Sequence, residues 1–286
     1  MSQFFSSSQT AVRELAGLNS ALANLTARRD ISHVVFDFDG TLSWLRHGWP
    51  RLMAGIFRQY YPVRPGETEH QILDLHLSDI LSRNGKPTIY QMIAFCDRVR
   101  ARGARCPEPE ALRREYQDRL DALIAERSAQ LTGGAARPDD FVVHGGRAVL
   151  DKLRARGARL IILSGTREDR VREEARLLQV TDYFGPHIYG SGDDPEQFSK
   201  RQVIERLLSE EKIPGRQLLS FGDGPVEILE TKAVGGVAIG VASDEERNGS
   251  GQADPWKTRQ LTDAGADAII ADFREPDNLV DAIFGR

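Results

Sequence analysis

The feature that most constrains the fold is an alternation. Short, apolar, β-branched runs recur along the chain: ISHVVF (31–36), RLIIL (159–163), QLLSF (217–221), GVAIG (236–240) and DAIIA (267–271), with HIYG (187–190) as a weaker sixth. Runs that lack polar alternation predict strands buried on both faces, the setting of a parallel sheet. Helical patterns over 145–156, 167–179, 199–211, 225–233 and 257–264 separate most of them. Strands alternating with helices predict an α/β fold in which helices cover both faces of the sheet.

The rhythm breaks once. Between Thr41 and about Phe141 no buried strand is legible, and helical stretches fill 48–60, 68–82, 87–102 and 108–130. LTGGAARPDD (131–140) has the composition of a linker. The interval predicts an inserted all-α module, a lid over the sheet. Residues 9–28 carry Leu and Ala at spacings of three and four, a packing helix before the first strand. The expected division is a leader over 1–30, a core over 31–43 and 141–286, and the insert over 44–140. No internal repeat or low-complexity tract interrupts it.

Composition excludes several classes. The net charge of −4 gives no basic footprint for nucleic acid. The basic run DRVRARGAR (97–105) reads as a solvated helix face. No stretch approaches the ~18 apolar residues of a membrane span. Two cysteines, Cys96 and Cys106, make no disulfide framework and no CxxC site. The opening MSQFFSSSQT lacks the pattern of a secretory signal, so the expected location is the cytoplasm. The six histidines are scattered, which argues against zinc. GSGDD (190–194) lacks the third glycine and helix entry of a dinucleotide fingerprint, which argues against NAD. Oligomeric state is not legible.

In an open parallel sheet, ligands bind beyond the carboxyl ends of the strands. There the chain places Asp37, Phe38, Asp39, Gly40 and Thr41, then Ser164, Gly165 and Thr166, then Gly222, Asp223, Gly224 and Glu227. Lys200 opens a helix, awkwardly close to its positive end. Acids packed this closely repel one another unless a cation joins them, and oxygen-only ligands suit Mg²⁺. Ser164, with neighbouring amides, offers donors for phosphate oxygens. Asp37 is then placed to attack phosphorus, giving an aspartyl-phosphate. Asp39 would protonate the leaving oxygen and later take a proton from water.

DFDGT (37–41), LSGT (163–166), SK (199–200) and GDGPVE (222–227) resemble, in order, the four motifs of the haloacid dehalogenase superfamily. The resemblance implies a Rossmann-like core and a helical cap between motifs one and two. It implies Asp37 as nucleophile, Asp39 as general acid/base, Lys200 as charge anchor, and Ser164 as phosphate ligand, beside Gly165 and Thr41. Asp37, the Asp39 carbonyl, Asp223 and Glu227 would hold Mg²⁺. Motif four more often ends in Asp, and the longer Glu227 leaves open whether it meets the metal directly or through water.

In the insert, NGKPTIYQM (84–92) pairs a turn with a helix start and resembles a cap specificity loop. Lys86, Tyr90 and Gln91 are candidates to touch the leaving group, and Arg46 or His47 a second anionic group. Trp44 and Trp49 read as hinge packing and Trp256 as structural. The expected function is a Mg²⁺-dependent phosphatase acting on a small phosphorylated metabolite, with sugar phosphates the most plausible class. The rivals are a phosphomutase sharing the first half-reaction and a non-catalytic phosphometabolite sensor. A dehalogenase would leave Asp39 without a leaving alkoxide to protonate.

Overall fold

The computed structural model describes residues 22, 25–83, 87–192 and 198–285. The chain divides into two compact units, one of residues 1–45 and 136–286, the other of 46–135. Most of the expected helix over 9–28 lies outside the described residues, and residues 25–28 are not helical.

The first unit holds a six-stranded sheet of β1 (His33–Phe36), β2 (Arg159–Arg167), β3 (Ile188–Ser191), β4 (Leu218–Gly222), β5 (Val237–Val241) and β6 (Ala268–Ile270). Its order is β3-β2-β1-β4-β5-β6, and every pairing is parallel. β1 is central, and all four of its residues are buried. Successive side chains of a strand point to opposite faces. Accordingly Val35 packs with Ile204 and Leu207, which lie on α8 (Lys200–Glu211). On the other side, the Phe36 ring stacks on Phe221 at 4.9 Å between centroids and meets Phe184 and Phe273. Apolar residues at successive positions of β1 therefore serve two cores, one per face.

The remaining helices of this unit are α5 (Gly146–Ala155), α6 (Glu168–Leu177), α7 (Thr181–Phe184), α9 (Pro225–Ala233), α10 (Pro255–Asp263) and α11 (Pro276–Phe284). The sequence reading starts α10 at residue 257, two residues late. Asp254 is its N-cap, accepting the amides of Trp256 and Lys257, and Pro255 is its first residue. The reading also misses α11, whose Leu279, Val280, Ile283 and Phe284 are buried.

The second unit is formed by α1 (Trp49–Tyr60), α2 (Glu69–Leu81), α3 (Ile89–Ala101) and α4 (Pro109–Thr132). A capping box between Thr68 and Gln71 starts α2. At the centre, Phe57 stacks on Phe95 at 4.0 Å, and His76 sets its edge against Phe57, Tyr61 and Phe95. Cys96 is buried, and its Sγ lies 2.6 Å from the Cys106 Sγ. The two cysteines, unpaired in the sequence reading, thus meet across the α3–α4 connection. No helix among the described residues is long and apolar enough to cross a membrane.

Candidate active site

From β1 the chain steps outward through β2 to β3, then returns to β4 on the opposite side of β1. The loops after β1 and β4 diverge from this reversal, the crevice in which open parallel sheets bind ligands. The Asp37 amide still donates to the Phe221 carbonyl at 2.9 Å, which fixes the end of β1. The Phe38 carbonyl then accepts from the amides of Thr41, Leu42 and Ser43, at 3.3, 2.9 and 2.8 Å. This compact loop needs Gly40 twice over. Its φ is +77°, and a Cβ there would lie 2.2 Å from Asp223 Oδ2.

Asp37 is buried, and Lys200 Nζ donates to its Oδ1 at 2.5 Å and also to Glu227 Oε1. Burial pushes the Asp37 carboxyl well above its usual range; Lys200 opposes the rise, while Glu227 and Asp223 add to it. Burial works against the Lys200 charge too, but Asp37 and Glu227 outweigh it and raise its pKa. Glu227 sits in the first turn of α9, where acids suit the helix dipole. It folds over the end of β4 because Gly222 has no side chain: a Cβ there would stand 2.6 Å from the Glu227 Cβ.

Ser164, Gly165 and Thr166 lie where the pairing of β2 with β3 shifts register, between Leu163 and Arg167. Ser164 is buried, its Oγ accepting the Thr166 amide at 3.1 Å. Gly165 is exposed, and no described residue lies within 4 Å of where its Cβ would be, so packing among the described residues does not require glycine there. The Thr166 hydroxyl donates to Asp39 Oδ2 at 2.7 Å. The sequence reading places Thr166 beside Ser164 without a role of its own; in the structure its hydroxyl holds the Asp39 carboxylate. Thr41 is fully buried, and its hydroxyl finds no partner among the described residues.

The sequence reading misses a second lysine altogether. Lys257 is 2% exposed, and its Nζ meets Asp223 Oδ2 at 2.9 Å, Glu245 Oε1 at 2.6 Å and Ser243 Oγ at 2.9 Å. Burial raises the Asp223 carboxyl to about 6, with Lys257 opposing and Glu245 and Glu227 adding to the rise. A signal was available. Asp254 and Pro255 mark the start of α10, which puts Lys257 in a first helical turn, as disfavoured for a cation as the place of Lys200.

Among the described residues, no three carboxylate, imidazole or thiol groups stand together in ligand geometry. The chemistry of the donor set nevertheless fits a hard dication. Asp37, Asp39, Asp223, Glu227 and Glu245 bring five carboxylates against the two ammonium groups of Lys200 and Lys257. The excess charge is negative, all side-chain donors are oxygen, and burial has lifted two of the acids.

The candidates in the helical unit fare differently. His47 Nε2 lies 2.9 Å from Arg127 Nη2, and its carbonyl accepts from Arg127 Nη1 at 3.0 Å. Arg46 is half-buried just before α1, and its carbonyl accepts the Trp49 amide. Tyr90 is exposed on α3. Lys86 lies outside the described residues. Gln91 is buried, and its Nε2 donates to the Ile80 carbonyl at 3.0 Å, tying α3 to α2. Trp44, in the sheet unit, donates its Nε1 to the Asp244 carbonyl at 2.9 Å.

Solved structures share this fold. A predicted phosphoglycolate phosphatase from Haemophilus somnus is 14% identical, with a TM-score of 0.57 over 87% of this chain and 98% of its own. A candidate beta-phosphoglucomutase from Thermotoga maritima is 17% identical, with a TM-score of 0.55 over 88% and 99%. A hydrolase of the haloacid dehalogenase family from Deinococcus radiodurans, solved with bound phosphate and sodium, is 17% identical, with a TM-score of 0.57 over 89% and 97%. No curated protein matches the chain. The model of the haloacid dehalogenase-like hydrolases matches residues 31–235, a span running from β1 past α9 that contains Asp37, Asp39, Ser164, Lys200, Asp223 and Glu227, and the chain belongs to that family.

Proposed function

We propose that this hydrolase is a phosphatase that takes the phosphoryl group of a small phosphorylated metabolite onto Asp37. The observation that carries the reading is the bridge from Lys200 to Asp37 and Glu227 at the reversal of the sheet. A buried carboxylate is a nucleophile only when ionised, and an ammonium at 2.5 Å favours that form. Lys200 leaves one Asp37 oxygen free to attack in line. Ser164 and the amides around it would bind the equatorial oxygens, and the open flank at Gly165 would let them approach. Asp39, oriented by the Thr166 hydroxyl, would give its proton to the leaving oxygen, then take one from the water that opens the aspartyl-phosphate. Asp37, the Asp39 carbonyl and Asp223 would hold Mg²⁺, with Glu227 acting through Lys200. Bound there, the ion would supply positive charge that favours the ionised acids and offsets the phosphoryl oxygens. Metabolites of this kind are cytoplasmic, and so is the setting we propose.

The test is a phosphate-release screen over phosphorylated metabolites, sugar phosphates first, with Mg²⁺, with chelator, and with Asp37→Asn. Metal-dependent release that disappears in the variant supports the reading. Net isomerisation without free phosphate would replace it with a mutase, and no turnover of any ester would end it.

A further inference from the structure

The proposed mechanism gives Lys200 a task and leaves Lys257 without one. A buried ammonium is costly unless all its protons find acceptors. Lys257 meets that condition in full, because its three N–H groups match Asp223, Glu245 and Ser243. The Ser243 hydroxyl in turn donates to the Gly40 carbonyl at 2.5 Å. One ammonium therefore ties together the loops that follow β1, β4 and β5. Nothing local favours a cation in the first turn of α10, so its place is explained by the acids it meets.

On the reading of Asp223 as a ligand of a divalent cation, we propose that Lys257 is a built-in counter-cation for that ligand. It is a positioning residue: it holds Asp223 against the Gly40 loop when the metal is absent, and it weakens metal binding by offsetting one carboxylate charge. Glu245, on another N–H of the same ammonium, sets how much of that charge Asp223 feels. The two residues therefore act on metal affinity with opposite signs. A neutral residue at 257 leaves the acids one charge more negative, which destabilises the metal-free protein and tightens the metal. A neutral residue at 245 leaves Asp223 as the carboxylate that takes the ammonium's charge and loosens the metal. A purely structural role for Lys257 would lower metal-free and metal-loaded stability together.

The experiment is thermal melting of the full chain across a MgCl₂ titration and in EDTA, for the wild type, Lys257→Met and Glu245→Gln. Lys257→Met is expected to bind Mg²⁺ about tenfold more tightly and to show a larger metal-induced rise in Tm, while Glu245→Gln binds severalfold more weakly. Equal shifts in the three proteins, or weaker binding in Lys257→Met, would overturn the proposal. Folding of Lys257→Met only in Mg²⁺ would support it. Should that variant fail to fold in either condition, Glu245→Gln decides: weaker binding supports the proposal and unchanged binding overturns it. A wild type that shows no Mg²⁺-dependent shift overturns the metal reading itself, a result distinct from equal shifts in all three.

Discussion

Both units bury ionisable groups: the sheet unit gathers several into one cluster, and the helical unit sets His76 among aromatic rings. In the sheet unit, Asp37, Asp223 and Glu227 converge with Lys200 and Lys257 at the ends of strands from opposite sides of the reversal. In the helical unit, His76 lies among aromatic rings, with neither nitrogen in a well-formed hydrogen bond among the described residues. A cluster of paired charges is expensive to assemble, and replacing one with apolar residues often stabilises a protein. On the proposed function, its presence at the sheet reversal is accounted for by chemistry. A lone neutral imidazole needs no such account, since it fills a cage much as an aromatic residue would. Disturbing the first unit should therefore appear in turnover, and disturbing the second in stability.

The sharpest way to break that contrast is Asp37→Asn. Phosphate release should fall at least about 10⁴-fold, as when a nucleophile is removed. Circular dichroism should show the fold intact. A variant that unfolds instead would make the cluster structural and dissolve the distinction.

For the helical unit, the largest expected effect follows pH. Burial pushes the His76 imidazole down to about 4, against smaller pulls from Asp79 and the backbone of Ala54. The unfolded chain therefore binds the proton more readily than the folded one. The stabilising contribution is complete above pH ~6.5 and is lost as pH falls to about 4, amounting to about 3 kcal/mol. Urea unfolding of the wild type against His76→Leu should show the difference closing over that window. A difference that stays constant would mean His76 reaches solvent or a partner.

The same contrast explains what was legible in the sequence. Strands buried on both faces are mostly apolar, so β1, β2, β4 and β5 stand out. The acids stand out because they end such runs: Asp37 follows Phe36, and Asp223 follows Gly222. Lys257 does not, because only the loop path after β5 brings it to Asp223. Its helix start, marked by Asp254 and Pro255, was the one local clue. Thr166 has no distinct role in the sequence because its acceptor, Asp39, comes from another strand's loop. Gln91 read as a ligand contact because the partner that buries it is a carbonyl of α2, and no side-chain pattern announces a carbonyl.

A smaller effect is expected of the cysteines. Their sulfurs, 2.6 Å apart, are about half an ångström beyond a disulfide bond length. Oxidised glutathione should take up the two electrons and two protons, leaving Cys96 and Cys106 bonded and the chain two hydrogens lighter by mass spectrometry. Burial, with Cys96 alongside, pushes the Cys106 thiol up to about 12, so the exchange should be slow near neutral pH and faster as pH rises. The bond closes a short loop and should add about 2.5 kcal/mol to stability, read from urea midpoints with and without reductant. A pair that stays reduced in excess oxidant would show that the thiols do not meet in solution.

The smallest effect separates neighbours on one helix. Gln91→Leu removes the donor to the Ile80 carbonyl and should cost about 1 kcal/mol of stability, leaving KM unchanged. Tyr90, next to it, is 53% exposed, and Tyr90→Ala should cost almost none. A Gln91→Leu protein with full stability and a raised KM would put the glutamine on the substrate, and with it the claim that the helical unit buries its polar groups for packing alone would fail.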